Sequence, residues 1–152
     1  MSMLRLALAT LPYPDSPHDA LQRARGALKD AGRAGAQLVV FPECYVPGYR
    51  RPGRHDAPPD AAWLETAWRE LARDAATHRV AAVVATERMS SSGRPVPAAV
   101  VIDANGVMLG VQDKVQIPPE EEAVYEGGSG RRVFTLGGVT LGVVICHEGW
   151  RY

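Results

Sequence analysis

The sequence has 152 residues, of which 46% are hydrophobic and 22% are charged, and its 17 basic residues balance 17 acidic ones. This length and composition are typical of one globular domain, here residues 1–152. The balanced charge disfavours nucleic acid or an anionic membrane as the main partner, because both attract a basic excess.

No apolar run approaches the ~20 residues of a membrane span, and no signal-peptide pattern opens the chain. Two cysteines do not make a disulfide framework. We therefore expect a cytoplasmic protein.

The first part of the chain predicts a β-α-β unit. Apolar residues alternate through residues 4–9, which is the period of a strand. Ser16 is a suitable N-cap, Pro17 suits the first helical position, and Asp19 completes a pattern similar to a capping box. Residues 37–41 form a short buried strand. This order favours a right-handed crossover between two parallel strands.

The middle of the chain predicts a second helix and three further strands. A loop rich in Pro, Gly and Arg runs to Pro59, and Asp60 can cap a helix with an apolar stripe. Within this loop, the run Arg50-Arg51-Pro52-Gly53-Arg54-His55 could meet an acidic substrate group, although a solvated loop is the simpler interpretation. Strands follow at 80–85, 96–102 and 107–111, and Asn105-Gly106 indicates a hairpin between the last two.

The chain ends in a second predicted hairpin, with strands at 132–136 and 139–145 around two glycines. The second strand is an uninterrupted apolar run, which is typical of a strand buried on both faces. Residues 118–130, rich in Glu, Gly and Pro, are expected to form a loop. Together these elements predict the α/β class, with helices packed on a mixed sheet.

Three ionisable side chains follow the ends of predicted strands: Glu43, Lys114 and Cys146. Ligands of open α/β sheets bind at such ends, so we expect the three side chains to converge. A carboxylate can take the thiol proton as the sulfur attacks. A nearby ammonium favours the thiolate and can stabilise an oxyanion. This set is sufficient for acyl transfer without a histidine base.

Three motifs carry a resemblance to a known family: Phe41-Pro42-Glu43, Asp113-Lys114-Val115 and Val144-Ile145-Cys146-His147-Glu148. In type, order and spacing they resemble the motifs of the nitrilase superfamily of carbon-nitrogen hydrolases. The resemblance implies half of an α-β-β-α sandwich, with a mixed sheet and helices on one face. It also implies hydrolysis of amides, carbamoyl amides or nitriles through a cysteine thioester. Glu43 would be the base, Lys114 the oxyanion stabiliser and Cys146 the nucleophile.

Many members of this family carry a further active-site glutamate between the lysine and the cysteine. Either Glu121 or Glu122, which precede Tyr125 and two glycines, resembles it, and we favour Glu121 as the fourth catalytic residue. Glu122, Tyr125, His147 and Trp150 are candidates for substrate contact. For His147 and Trp150, a supporting or packing role is the simpler interpretation. Cys44 should point away from Glu43 and pack. A metal held by Cys44, His147 and Glu148 is conceivable, but the spacing does not fit, so neither metal nor cofactor is predicted.

Members of this family continue well beyond the cysteine, whereas this sequence stops at Tyr152. We therefore expect a domain truncated on its C-terminal side. One hypothesis is a hydrolase of small amide, carbamoyl or nitrile substrates, and the resemblance suggests a homo-oligomer. The alternative is an inactive fragment or pseudoenzyme that needs its missing half. A thiol redox protein is disfavoured, because no Cys-x-x-Cys pair is present.

Overall fold

The computed structural model describes residues 3–51, 56, 58 and 60–150. The predictions made above for Arg54, His55, Pro59 and Tyr152 lie outside these residues. The described elements are β1 (Leu6–Leu8), α1 (Pro17–Arg33), β2 (Leu38–Val40), α2 (Ala61–His78), β3 (Ala81–Met89), β4 (Pro95–Ile102), β5 (Met108–Asp113), β6 (Val133–Leu136), β7 (Val139–Gly142) and a 3₁₀ turn (Cys146–Gly149).

Both helices begin at the predicted capping residues. Ser16 Oγ accepts a hydrogen bond from the Asp19 amide at 3.1 Å, with Pro17 in the first turn. Asp60 accepts from the Trp63 amide at 2.9 Å. Each side chain satisfies an amide that has no partner within the helix, which stabilises the helix by about 1 kcal/mol. The two helices therefore start where the sequence predicts.

Five strands form one mixed sheet in the order β1-β2-β3-β4-β5. The pairs β1-β2 and β2-β3 are parallel, whereas β3-β4 and β4-β5 are antiparallel. Two antiparallel steps restore the direction, so β5 runs the same way as β2. The carboxyl ends of β2 and β5 thus lie at the same edge, which is the edge where Glu43 and Lys114 follow.

The sheet is covered on both faces. Helices α1 and α2 pack on one face through a core that includes Leu28, Leu71 and the sheet residues Val84 and Val100. The other face packs against the hairpin of β6 and β7, chiefly through Phe134 and Leu136. This is the α/β class, and the layering is consistent with half of an α-β-β-α sandwich, as predicted.

The last strand corrects one prediction. β7 ends at Gly142 rather than at residue 145, and it is not buried on both faces. It pairs only with β6, in a two-stranded sheet of its own, so only one of its faces meets a core. Val144 is consequently 60% exposed. An apolar run can therefore indicate a strand whose second face is left open.

The first strand is confirmed, but its leucines are exposed. β1 lies at the edge of the sheet, where Leu6 is 47% and Leu8 is 72% exposed, whereas the intervening Ala7 packs towards the helices. Among the described residues, no helix combines the length and apolar character needed to cross a bilayer.

Candidate active site

The ends of β2 and β5 carry Glu43 and Lys114. Glu43 lies in the turn that follows β2, and Lys114 comes directly after β5. Both backbone polar groups of Lys114 are hydrogen-bonded. Its amide donates to Pro97 O at 2.8 Å, and its carbonyl accepts from Gly128 N at 2.9 Å. A Cβ at Gly128 would overlap the side chain of Asp113, so this approach requires a glycine. These contacts fix the base of the lysine side chain.

The ammonium of Lys114 lies between two carboxylates. Its Nζ is 2.6 Å from Glu43 Oε1 and 2.7 Å from Glu121 Oε2. The lysine side chain is fully buried, and the carboxylates are 17% and 8% exposed. A buried charge is stable only when it is paired and hydrogen-bonded. The two glutamates satisfy that requirement, and the three groups act as one unit.

The charge of Lys114 is maintained by these pairs. Burial alone would lower its pKa, but the hydrogen bonds and charges of Glu121 and Glu43 outweigh burial and raise it. An ammonium has three N–H donors, of which two are directed at these carboxylates. Among the described residues, no acceptor is found for the third.

Cys146 opens the 3₁₀ turn and adopts a left-handed backbone conformation with φ of 48°. Its residue surface is exposed. Burial of the thiol, followed by the charge and hydrogen bonding of Glu43, raises the pKa of Cys146, and the charge of Lys114 opposes that rise. The influence of Glu43 on the thiol indicates that its carboxylate lies near Cys146.

The structure distinguishes the two neighbouring glutamates. Glu121 is buried and also accepts a hydrogen bond from Tyr49 OH at 2.7 Å, whereas the side chain of Glu122 is exposed. In the described part of the chain, the Glu122 carboxylate makes no hydrogen bond or ion pair. Burial and the bond to Glu121 raise the pKa of Tyr49, so its hydroxyl stays protonated and donates. No motif or pattern marked Tyr49, which lies in an irregular loop.

The other predicted substrate contacts occupy different environments. Tyr125 is 1% exposed, accepts from the Arg50 amide at 2.8 Å and packs its ring against Tyr49, so it lies behind the cluster. His147 is half-buried, and within the described residues its Nε2 has no hydrogen-bond partner. Trp150 is 79% exposed. Direct substrate contact by these residues and by Glu122 stays a prediction.

Two other expectations concern residues around the cluster. Cys44 is buried and its Sγ donates to Thr86 O at 3.4 Å, which agrees with a packing role. Arg50 is not a solvated loop residue: its guanidinium lies 2.6 Å from Glu87 Oε1, and that carboxylate is fully buried. Over the described ranges, no group of three His, Cys, Asp or Glu side chains could hold a metal ion.

Glu148 has a role that the sequence did not reveal. Its side chain is fully buried and is 3.2 Å from Arg131 Nη2. It also accepts hydrogen bonds from the backbone amides of Val115, Gln116 and Ile145. Ile145 is a near neighbour in the chain, but only the fold brings the amides of Val115 and Gln116 to Glu148.

A small cavity adjoins Glu43. It has a volume of about 200 Å³ and is lined by Glu43, two prolines, Leu11 and three tyrosines (Tyr13, Tyr45 and Tyr49). A larger cavity of about 780 Å³ lies at the N-terminal ends of α1 and α2; Arg50 is among its lining residues, whereas Glu43, Lys114, Glu121 and Cys146 are not. This smaller cavity borders the cluster at Glu43, and neither Lys114 nor Cys146 lines it.

Comparison with known proteins places this site in a family. Residues 5–151 match the family model for carbon-nitrogen hydrolases. The chain is 29% identical, over 99% of its length, to a glutamine-dependent NAD(+) synthetase from Thermotoga maritima, and covers 26% of that protein. It is 30% identical, over 96% of its length, to a nitrilase from Pyrococcus abyssi, and covers 56% of it.

Solved structures agree with this match. An amidase from Nesterenkonia sp. AN1 superposes with a TM-score of 0.82 at 28% identity, over 95% of this chain and 58% of the amidase. In a variant of that amidase, acrylamide has added to the active site cysteine. The chain therefore spans between about a quarter and just over half of the length of these relatives. From the match over nearly its whole length, we conclude that this chain belongs to the carbon-nitrogen hydrolase family.

Proposed function

We propose that this chain carries the Glu-Lys-Cys site of a hydrolase that cleaves small amides through a cysteine thioester. The observation that carries the proposal is the ion-pair cluster of Lys114 with Glu43 and Glu121. Burial and then the Glu43 carboxylate raise the pKa of the Cys146 thiol, which supports a thiol close to this cluster. Carbamoyl amides and nitriles are further candidate substrates. The apolar cavity of about 200 Å³ next to Glu43 supports a small acyl group.

In the proposed reaction, Glu43 takes the proton of Cys146 as the sulfur attacks the carbonyl carbon. The third N–H of Lys114 donates to the oxyanion that forms, and Glu121 keeps the ammonium in place. The C–N bond then breaks, and the leaving nitrogen takes the proton from Glu43, which releases ammonia or an amine and leaves a thioester. Water gives a proton to Glu43 and attacks the thioester, and the thiol regains that proton as the acid departs.

Replacement of the nucleophile tests this function. In the full-length protein, we expect Cys146→Ala to reduce ammonia release from butyramide by at least about 10³-fold, because no thioester can form. Butyramide is a suitable first substrate, since a variant of the Nesterenkonia amidase is known in complex with it. Cys44→Ser is the matched control: it keeps a donor for Thr86 O and should retain activity within about threefold. Full activity in Cys146→Ala would refute the proposal.

A second candidate is a chain that is inactive alone and needs a complementary segment. Large apolar side chains near the thiol favour it, since Val144 is 60% and Trp150 is 79% exposed. Size measurement and iodoacetamide kinetics of the 152-residue chain separate the two candidates. A monomer with a thiol that reacts rapidly supports an intact site, and aggregation with an inert thiol supports the second candidate. Assembly of several copies and a cytoplasmic location remain part of the proposal.

A further inference from the structure

Glu148 connects the two chain segments that carry Lys114 and Cys146. Its Oε2 accepts from the Ile145 amide at 3.0 Å, immediately before the cysteine. Its Oε1 accepts from the Val115 amide at 2.8 Å, immediately after the lysine. These segments are far apart in the sequence and follow strands of different sheets. The Glu148 carboxylate thus hydrogen-bonds to both segments and links them.

The environment of Glu148 suits only an ionised carboxylate. Oε1 also accepts from the Gln116 amide at 3.4 Å and contacts Arg131 Nη2 at 3.2 Å. All four partners are donors, and a carboxylate is the side-chain group that accepts on both oxygens without donating. The Glu148 side chain is fully buried, so hydrogen bonds to it are shielded from water and strong.

The backbone at Cys146 needs such support. A non-glycine residue with φ of 48° is strained, and this conformation persists only where its surroundings hold it. The bond from Glu148 to Ile145 closes the turn around the cysteine. The bonds to Val115 and Gln116 attach this turn to the segment that carries the lysine.

We propose that Glu148 is a positioning residue, which sets the distance and direction of the Cys146 thiol relative to Glu43 and Lys114. It touches neither substrate nor the reacting atoms, and it acts through the two segments that it joins. This inference rests on the proposed function, because it explains the link made by Glu148 as a means of positioning the residues of the hydrolytic site.

The test compares Glu148→Gln with Arg131→Ala in the full-length protein. An amide side chain has only one acceptor oxygen, so its NH₂ group must face a backbone amide at one of the two segments. Arg131→Ala removes a partner whose side chain is 50% exposed and keeps the bonds to the backbone amides. We expect the glutamine variant to lose about 100-fold in kcat with KM changed less than about threefold, because a small displacement of reacting groups has this effect. The alanine variant should stay within about threefold.

A second measurement distinguishes a positioning role of Glu148 from a role in the stability of the fold alone. The alkylation rate of Cys146 by iodoacetamide, followed by peptide mass spectrometry against pH, gives the midpoint of thiol ionisation. A thiol that has moved away from Glu43 loses the influence that raises its pKa, so the midpoint of Glu148→Gln should shift to lower pH. A purely structural role would lower the melting temperature and leave the midpoint of the folded molecules unchanged. An unchanged midpoint and kcat would overturn the inference.

Two further measurements keep the outcome unambiguous. If Glu148→Gln does not fold, Glu148→Asp keeps the acceptors but is one methylene shorter, and it should show the same midpoint shift with a smaller loss of kcat. Cys146→Ala is assayed in parallel. An active Cys146→Ala variant refutes the proposed function, whereas an inactive Cys146→Ala with a fully active Glu148→Gln refutes only the positioning role.

Discussion

In the proposed reaction the nucleophile is Cys146, and its neighbours act on the ionisation of its thiol in opposite directions. Burial and the charge of Glu43 favour the neutral thiol, and the charge of Lys114 favours the thiolate. The net effect raises the pKa of the thiol. In the proposed reaction the thiol therefore passes its proton to the carboxylate as the sulfur attacks, rather than ionising beforehand. This arrangement explains how acyl transfer could proceed here without a histidine base.

Neutralising Glu43 tests that balance. We expect Glu43→Gln to lower the pKa of Cys146, because a negative charge that opposes ionisation is removed and Lys114 is left with one fewer anionic partner. The pH profile of thiol alkylation should therefore move to lower pH. Hydrolysis of butyramide should fall by roughly 10²–10⁴-fold, since the general base is lost.

The two readouts of this variant thus change in opposite senses: the thiol ionises more readily while turnover decreases. An alkylation profile that moves to higher pH would show that Glu43 does not face the thiol as the structure has it.

At the scale of elements, strand direction assembles the site. β2 and β5 run the same way because two antiparallel pairings separate β3 from β5. Glu43 and Lys114 are 71 residues apart, yet they leave the same edge of the sheet and meet. Helices α1 and α2 pack on the face of this sheet and on each other, and their contact depends on small residues.

Two glycines of α1 provide a matched pair for this contact. A Cβ at Gly32 would lie 2.7 Å from the His78 carbonyl oxygen in α2, whereas a Cβ at Gly26 meets nothing within 4 Å. We expect Gly32→Ala to lower the free energy of unfolding by about 1–3 kcal/mol through overpacking. Gly26→Ala should raise it by about 0.5–1 kcal/mol, because alanine favours the helix.

Chemical denaturation of both variants measures these changes. Equal effects of the two substitutions would mean that α1 does not approach α2 at Gly32.

At the scale of the whole molecule, the two cores are unequal. One lies between the helices and the five-stranded sheet, and it buries residues from both helices and most strands. The other lies beneath a single hairpin, one face of which is open to solvent. A two-stranded hairpin has little stability of its own. The side of the molecule that carries Cys146 therefore depends on less buried surface than the helical side.

Hydrogen exchange of the 152-residue chain should reveal this difference. We expect the amides of β3 and β4, which are almost wholly buried, to exchange only on global unfolding. The amides of β6 and β7 should exchange by local opening, at least about tenfold faster. Equal protection of the hairpin and the central strands would contradict this description of the two cores.

Several features of the fold could be predicted because they depend on short stretches of sequence. Ser16 and Asp60 mark helix starts through side chains that cap the nearest amides, and Asn105-Gly106 marks a hairpin. The extent of β7 could not be predicted. An apolar run reports that some burial is favourable, but not whether one face or two will find a partner.

The sequence by itself determined the α/β class, the family motifs and the candidate residues Glu43, Lys114 and Cys146, because periodicity, capping and residue type are local properties. Only the tertiary structure brought Glu121 rather than Glu122 to the lysine, and only it joined Tyr49 and Glu148 to the site. The physical reason is that a hydrogen bond acts over about 3 Å. Which groups come within that distance is decided by how strands and loops pack, and residues distant in the chain carry no local mark of it.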